Sequence, residues 1–149
     1  MRERAGIWYM TLAAIAVFAA SALLSAALYD YVIVPRLPSV RSVPFSWWLA
    51  AGLPIITAGF VFGWLVRSVA SFLLWSIAGA VGINAYVTWA SLVGRRPFVN
   101  QPPAVEAPFA FWTVGLATAA LVVGLFLAIG LSARTLLAVL GRLNGRADR

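Results

Sequence analysis

Residues 47–93 read WWLAAGLPIITAGFVFGWLVRSVASFLLWSIAGAVGINAYVTWASLV, and Arg67 is the only charged residue among them. The hydrocarbon core of a bilayer is about 30 Å thick, and a helix needs about 20 apolar residues to cross it. The run is too long for one crossing, so it predicts two spans, about residues 47–66 and 69–93. We expect a tight helical hairpin that turns at Arg67-Ser68, with Arg67 snorkelling to the membrane edge.

Each side of this run is flanked by a polar, proline-rich connection and then by another apolar segment. The connections, residues 30–46 and 94–108, predict loops outside the bilayer because proline favours extended turns over helix. The outer apolar segments predict a first span at about residues 7–29 and a fourth at 109–133. The first of these is longer than the 7–15-residue apolar core of a signal peptide. The loop arginines, which could bind lipid headgroups or a partner, are Arg36, Arg41, Arg95 and Arg96.

Beyond the fourth span, residues 134–143 keep an apolar face beside Arg134 and Arg142. This pattern predicts an amphipathic extension that lies along the headgroups and ends at Asn144-Gly145. Hydrophobic residues make up 63% of the chain and charged residues 10%, whereas a soluble domain is about one quarter charged. The sequence therefore predicts an all-α, polytopic membrane protein, a four-transmembrane-helix bundle forming a single domain over residues 1–149.

All 11 basic residues are arginine, against 4 acidic residues, which gives a net charge of +7. Seven arginines lie in the two tails and the central turn and four in the two longer loops. The positive-inside rule then predicts that both termini lie in the cytoplasm. The expected location of the protein is the inner (plasma) membrane. Membrane lipids are the expected partners of these arginines, and no basic stripe with interleaved aromatic residues indicates nucleic acid.

The chain contains no Cys and no His. Their absence excludes disulfides, thiolate nucleophiles, iron–sulfur ligation, histidine-held haem and the usual zinc sites. The four acidic residues lie in tails and loops, so no intramembrane carboxylate or carboxylate pair is expected. We therefore expect no catalytic residue, no metal site and no cofactor.

A shift of 64 residues aligns the two halves of the chain at several prolines and aromatic residues. Pro44-Phe45 falls on Pro108-Phe109, Trp48 on Trp112 and Phe62 on Phe126. The pattern predicts two repeated helical hairpins related by an axis along the membrane normal. The alternative is chance similarity between apolar segments.

Small residues recur at four-residue spacing within the spans, which lets helix backbones approach closely in lipid. They predict packing inside the bundle, or else one ladder facing another subunit, with the fourth span favoured for that role. Asn84 is the most polar residue expected in mid-membrane and needs a partner, either an interhelical one such as Thr57 or a small ligand. The interface candidates are Gly59, Gly63, Gly82, Asn84, Ala120, Gly124 and Ala128.

These features favour a non-catalytic small subunit that packs against and stabilises one or more larger membrane protein subunits. Two alternatives stay open: a small homo-oligomeric transporter or channel with Asn84, Tyr86 and Thr88 along a path, and a lipid-handling enzyme. In length and span count the chain is similar to the small membrane subunits of binding-protein-dependent tripartite transporters. That resemblance is one of architecture, carries no site residue, and implies a transport complex.

Overall fold

Four helices form the part of the chain that the computed structural model describes, residues 2–36, 45–92 and 108–147. Helix α1 comprises Arg2–Ala27, α2 Phe45–Leu65, α3 Val69–Leu92 and α4 Pro108–Ala147. A π-helical turn, Leu28–Ile33, and a 3₁₀ turn, Val34–Arg36, continue α1. Among the described residues only Val66, Arg67 and Ser68 are not helical, so the predicted all-α class is confirmed.

Three of the helices are long and apolar enough to cross a membrane, over Gly6–Arg36, Val69–Ala90 and Thr113–Arg142. The fourth apolar stretch, Leu49–Leu65, is shorter, but α2 as a whole has 21 residues. At 1.5 Å per residue that helix is about 30 Å long, which matches the hydrocarbon thickness. Large apolar side chains such as those of Leu12 and Leu121 are exposed around the bundle, as lipid contact requires.

The four helices follow the order α1, α3, α4, α2 around the bundle. Helix α1 packs against α3 and α2, and α4 packs against α2 and α3, whereas α2 and α3 have almost no backbone contact. We call the end that carries the turn at residues 66–68 the turn end, and the opposite end the loop end. Helices α1 and α3 run in parallel from the turn end, and α2 and α4 run in parallel toward it.

The turn at Arg67-Ser68 is where the sequence predicts it and joins α2 to α3 through three residues, but the two helices do not lie side by side along their length. Helices α2 and α3 occupy opposite corners of the bundle, and their side chains meet only across its interior. The rings of Phe62 and Trp75 lie 5.7 Å apart there, edge to face. Because α1 packs closely on α3 and α2 on α4, the helices α2 and α3, which follow each other in the sequence, are kept apart.

Two predicted helix ends are also wrong, because polar residues alone do not end a helix. The first helical segment continues past Asp30 to Arg36, with a wide turn in which the N–H of Val34 donates to the carbonyl of Tyr29. Helix α4 continues past Asn144-Gly145 to Ala147 and has 40 residues. A glycine in a helix costs about 1 kcal/mol relative to alanine, which neighbouring helical residues can offset.

The two halves of the chain are both antiparallel helix pairs, α1 with α2 and α3 with α4, and they lie side by side. Each helix of the first half therefore neighbours its counterpart in the second. A twofold axis along the bundle would place counterparts at opposite corners. The arrangement therefore lacks the axis that the sequence similarity at a shift of 64 residues predicts. The duplication of the sequence itself stays a prediction.

Candidate functional site

The bundle interior toward the turn end is filled by aromatic and aliphatic side chains. Phe18 of α1 stacks near Phe62 of α2 with ring centroids 5.9 Å apart, and Phe62 in turn contacts Trp75. Val123 and Leu127 of α4 complete this fully buried cluster. The side chains that fill this part of the described interior are aromatic and aliphatic.

Glycines of the predicted ladders are where helix backbones meet within the chain. A Cβ atom placed on Gly63 would overlap the carbonyl oxygen of Leu127, and one on Gly59 would overlap the Cβ of Phe126. On the other parallel pair, a Cβ on Gly82 would overlap the carbonyl oxygen of Ile15. These three glycines therefore occupy contacts of α2 with α4 and of α3 with α1, where only a hydrogen side chain fits.

The ladder of the fourth span faces α3 of the same chain and packs less tightly. A Cβ on Gly124 would lie 3.4 Å from the Oγ of Ser76 and 3.9 Å from the Phe72 ring. Ala120 and Ala128, one turn away on either side, are half-buried. This placement favours internal packing over an interface with another subunit.

Asn84 is buried, with 4% of its surface exposed, and its side chain bonds to its own helix. Its Nδ2 donates to the carbonyl oxygen of Ala80 at 2.9 Å. Thr57, the partner considered from the sequence, is exposed on the outer surface of α2, at the opposite corner of the bundle from α3. The Asn84–Thr57 hydrogen bond is therefore wrong, because the bundle order separates the two helices. The Asn84 Oδ1 faces α4, where a Cβ on Gly115 would lie 3.0 Å from it.

An outward-facing groove lies between α1 and α3 in the half of the bundle toward the loop end. Its volume is about 390 Å³. It is lined by alanines of both helices, by one leucine of α1 and by two aromatic rings of α3: Ala19, Ala20, Leu23, Ala85, Tyr86 and Trp89. We call this feature the α1–α3 groove. It begins where Gly82 brings the two helices into contact, and the Tyr86 and Trp89 rings, 6.1 Å apart, form one wall.

Arg134 ties α4 to the turn end of α2. Its Nη1 donates to the carbonyl oxygens of Trp64 and Val66, both at 2.8 Å. These belong to the carbonyl groups that a helix C-terminus leaves without an intrahelical partner. From the sequence, Arg134 is predicted only to lie at the boundary of the fourth span, because no local pattern indicates a bond across 70 residues.

The start of α3 is capped by its own serines. The Oγ of Ser68 accepts from the backbone N–H of Ser71 at 3.1 Å, and the Oγ of Ser71 accepts from the N–H of Ser68 at 3.0 Å. This reciprocal pair satisfies N–H groups at the helix start in the way that a capping box does. Arg67 lies between the end of α2, which Arg134 caps, and this serine cap at the start of α3, and its side chain is exposed.

Two buried polar atoms of the described residues have no hydrogen-bond partner, the Oγ of Ser25 and the Nε1 of Trp75. Neither lies in the α1–α3 groove. Ser25 lies toward the loop end of α1, whereas Trp75 belongs to the aromatic cluster near the turn end. An indole N–H without an acceptor costs about 1–3 kcal/mol when buried.

Of the four loop arginines, the structure describes Arg36. It is exposed, and its Nη1 donates to the carbonyl oxygen of Val32 at 2.6 Å. Arg41, Arg95 and Arg96 lie outside the described residues. Within residues 2–36, 45–92 and 108–147, no group of three acidic side chains, cysteines or histidines is placed to hold a metal ion.

Comparison with known proteins finds no matching family model, no similar curated protein and no similar solved structure. The fold and the site therefore define a class only, a small helical membrane bundle with an apolar groove on its lipid-facing side.

Proposed function

We propose that this chain is a non-catalytic small subunit of a larger membrane complex, which it stabilises by packing against a transmembrane helix of a larger subunit. The observation that carries the proposal is the α1–α3 groove. The glycine ladders of α2 and α3 are used in contacts within the chain, whereas Ala20 and Ala85 are exposed small residues in a concave surface. Such a surface lets a further helix backbone approach closely.

The aromatic wall of the groove supports a helix as the occupant. Trp89 is half-exposed, and together with Tyr86 it offers a large rigid contact area beside the alanine floor. In lipid, apolar contact by itself does not drive helices together, so the shape of the surface decides where a partner binds. A groove with small residues below and rings beside it has such a shape.

The absence of catalytic function is supported by the polar groups that the structure describes. The charged side chains that the structure describes are exposed or, for Arg134, half-buried: Asp30, Arg36, Arg67, Arg134 and Arg142. Proton-coupled carriers usually hold an ionisable group at depth. The Thr88 hydroxyl donates to the carbonyl of Asn84, so it too bonds to its own helix. The homo-oligomeric transporter and the lipid-handling enzyme are therefore the weaker candidates. A transport complex is the proposed context for the subunit, and its support is the resemblance in length and span count to small subunits of tripartite transporters.

For the location we propose the inner (plasma) membrane, with both termini and the 66–68 turn in the cytoplasm. The support is the excess of arginine on that side, seven against four in the loops. Since the chain has no cysteine, single cysteines at the N-terminus and in the first loop report topology directly. Labelling of the loop cysteine alone by an impermeant thiol reagent in intact cells is the expected result.

The experiment that tests the subunit proposal is native mass spectrometry of the protein extracted from its own membrane in mild detergent. We expect a heteromeric mass at fixed stoichiometry, which Ala20→Trp or Ala85→Trp in the groove abolishes. The matched control is Ala117→Trp, because Ala117 is an exposed alanine on α4, away from the groove.

Three results would overturn the proposal. A complete homo-oligomer would favour the transporter, and a lone 15.9 kDa species that keeps or converts a lipid would favour the enzyme. A heteromer that survives both groove variants would move the partner to another face of the bundle.

A further inference from the structure

The last 14 residues of α4, residues 134–147, extend beyond the bundle as part of the same helix. The 40 residues of α4 correspond to about 60 Å of helix, roughly twice the hydrocarbon thickness. Arg134 lies level with the end of α2, so the helix beyond it is outside the packed bundle. Each residue from 135 to 142 is exposed.

The apolar side chains of this extension share one face. At 100° per residue, Leu136, Leu137, Val139 and Leu140 fall within an arc of roughly 160°. Their exposed fractions run from 47% to 60%. Ala138, Gly141 and Arg142 occupy the opposite arc, together with Arg134. The extension is therefore amphipathic, as the sequence predicts, and its apolar face is uncovered.

The bundle cannot cover this face, because the face points away from it. In the span, Val123, Leu127 and Gly130 are the buried residues of α4, and Arg134 follows on the same side of the helix toward α2. The exposed residues Leu121, Leu125 and Ile129 lie on the other side. Leu136, Val139 and Leu140 of the extension continue this lipid-facing stripe beyond Ser132, and Leu137 lies at its edge.

We propose that residues 134–147 bind the surface of an anionic membrane, with the apolar arc inserted below the headgroups and Arg142 among the lipid phosphates. When a helix leaves the bilayer and tilts toward its own lipid-facing side, that side comes down onto the membrane surface. In α4 this is the side that carries the leucines. The Oγ1 of Thr135 donates to the carbonyl of Ser132 at 2.8 Å, and side-chain bonds of this kind bend helices.

The charge of the extension indicates that its apolar face is covered by an anionic lipid surface. Residues 134–147 contain three arginines, Arg134, Arg142 and Arg146, and no acidic residue. A basic amphipathic helix binds anionic lipid through buried apolar area together with attraction to the phosphates. The inference does not depend on the proposed subunit role, because it concerns the lipid and not the partner.

The test is the accessibility of spin labels attached to single cysteines. Because the chain has no cysteine of its own, each label attaches only at the introduced position. Single variants Leu137→Cys and Leu140→Cys probe the apolar arc, and Ala138→Cys and Gly141→Cys probe the opposite arc as matched controls. The 149-residue chain is reconstituted at high lipid ratio in phosphatidylcholine–phosphatidylglycerol vesicles and in phosphatidylcholine alone. Collisions with oxygen, which partitions into lipid, are compared with collisions with a water-soluble nickel chelate.

We expect oxygen collisions to dominate at Leu137→Cys and Leu140→Cys, and nickel collisions to dominate at the two control sites. The contrast should be larger with phosphatidylglycerol, and adding Arg142→Gln should lower the ratio of immersed to water-exposed label at Leu140→Cys about fivefold. Nickel access at all four sites would overturn the proposal. Protection of both apolar-arc sites from both reagents would overturn it too, because a protein surface and not lipid would then cover the face.

Discussion

The guanidinium of Arg134 on α4 donates from Nη1 to the carbonyl oxygen of Trp64 in the last turn of α2 at 2.8 Å. The same nitrogen bonds to the carbonyl oxygen of Val66 in the turn that follows. A positive charge at a helix C-terminus also interacts favourably with the helix dipole. One side chain therefore fixes both the end of α2 and the point where α4 leaves the bundle.

Replacing Arg134 with alanine should destabilise the bundle by about 1–3 kcal/mol, since two carbonyl groups lose their charged donor. Arg134→Lys should recover part of this loss, because an ammonium group can serve the same carbonyls without the planar guanidinium geometry. The measurement is unfolding in mixed micelles titrated with a denaturing detergent. Arg142→Ala is the control, on the exposed extension of the same helix. Equal stability of the Arg134 and Arg142 variants would show that the cap contributes nothing.

Gly63→Ala should destabilise the α2–α4 contact, because its methyl group would overlap the backbone carbonyl of Leu127, which cannot rotate away. Overpacking of this kind costs about 1–3 kcal/mol. Gly141→Ala is a matched control, since nothing lies within 4 Å of a Cβ at that position. It should be neutral or stabilising by up to about 1 kcal/mol through helix propensity. Detergent-dependent unfolding of both variants decides the matter, and a neutral Gly63→Ala would contradict the close contact.

Gly115 and Asn84 should be energetically coupled. Gly115→Ala would place a methyl group 3.0 Å from the Asn84 Oδ1, so the side chain would have to shift by a few tenths of an ångström. Adding Asn84→Ala should relieve that crowding, so the double variant should cost less than the sum of the single ones by about 0.5 kcal/mol or more. A double-mutant cycle on unfolding free energies measures the coupling, and strict additivity would refute it.

Asn84→Leu alone should change stability by less than about 1 kcal/mol. The Asn84 amide donates to the Ala80 carbonyl within its own helix, and that carbonyl keeps the backbone N–H of residue 84 as its helical donor. The substitution therefore leaves no buried acceptor without a partner. If the variant leaves stability and the heteromeric mass unchanged, Asn84 is a satisfied core residue. Loss of the heteromer with unchanged stability would instead give the amide a role in binding.

Trp75→Phe should be tolerated better than other changes in the aromatic cluster. It removes the Nε1 donor that has no partner, which offsets part of the lost ring volume. We expect a change within about 1 kcal/mol, against about 3–5 kcal/mol for Phe18→Ala, which removes a fully buried ring. Unfolding measurements on both variants test the difference. A large loss with Trp75→Phe would mean that the indole N–H has a partner such as a bound water.

The sequence by itself determined the helical class, the number of apolar segments and the position of the central turn. The reason is that a bilayer leaves a chain of this composition little choice, since backbone groups in hydrocarbon must bond within helices or closed barrels. A single arginine in residues 47–93 was enough to mark the turn, because charge is excluded from the hydrocarbon core. Glycines at four-residue spacing likewise marked surfaces for close packing.

Only the tertiary structure decided which helices are neighbours. Lipid tails are as apolar as the helix surfaces, so hydropathy does not distinguish a face that packs from one that meets lipid. Shape makes that choice, and it placed α2 and α3 at opposite corners and Thr57 away from Asn84. The partners of Arg134 and the α1–α3 groove depend on contacts between residues tens of positions apart, and no local pattern in the sequence encodes them.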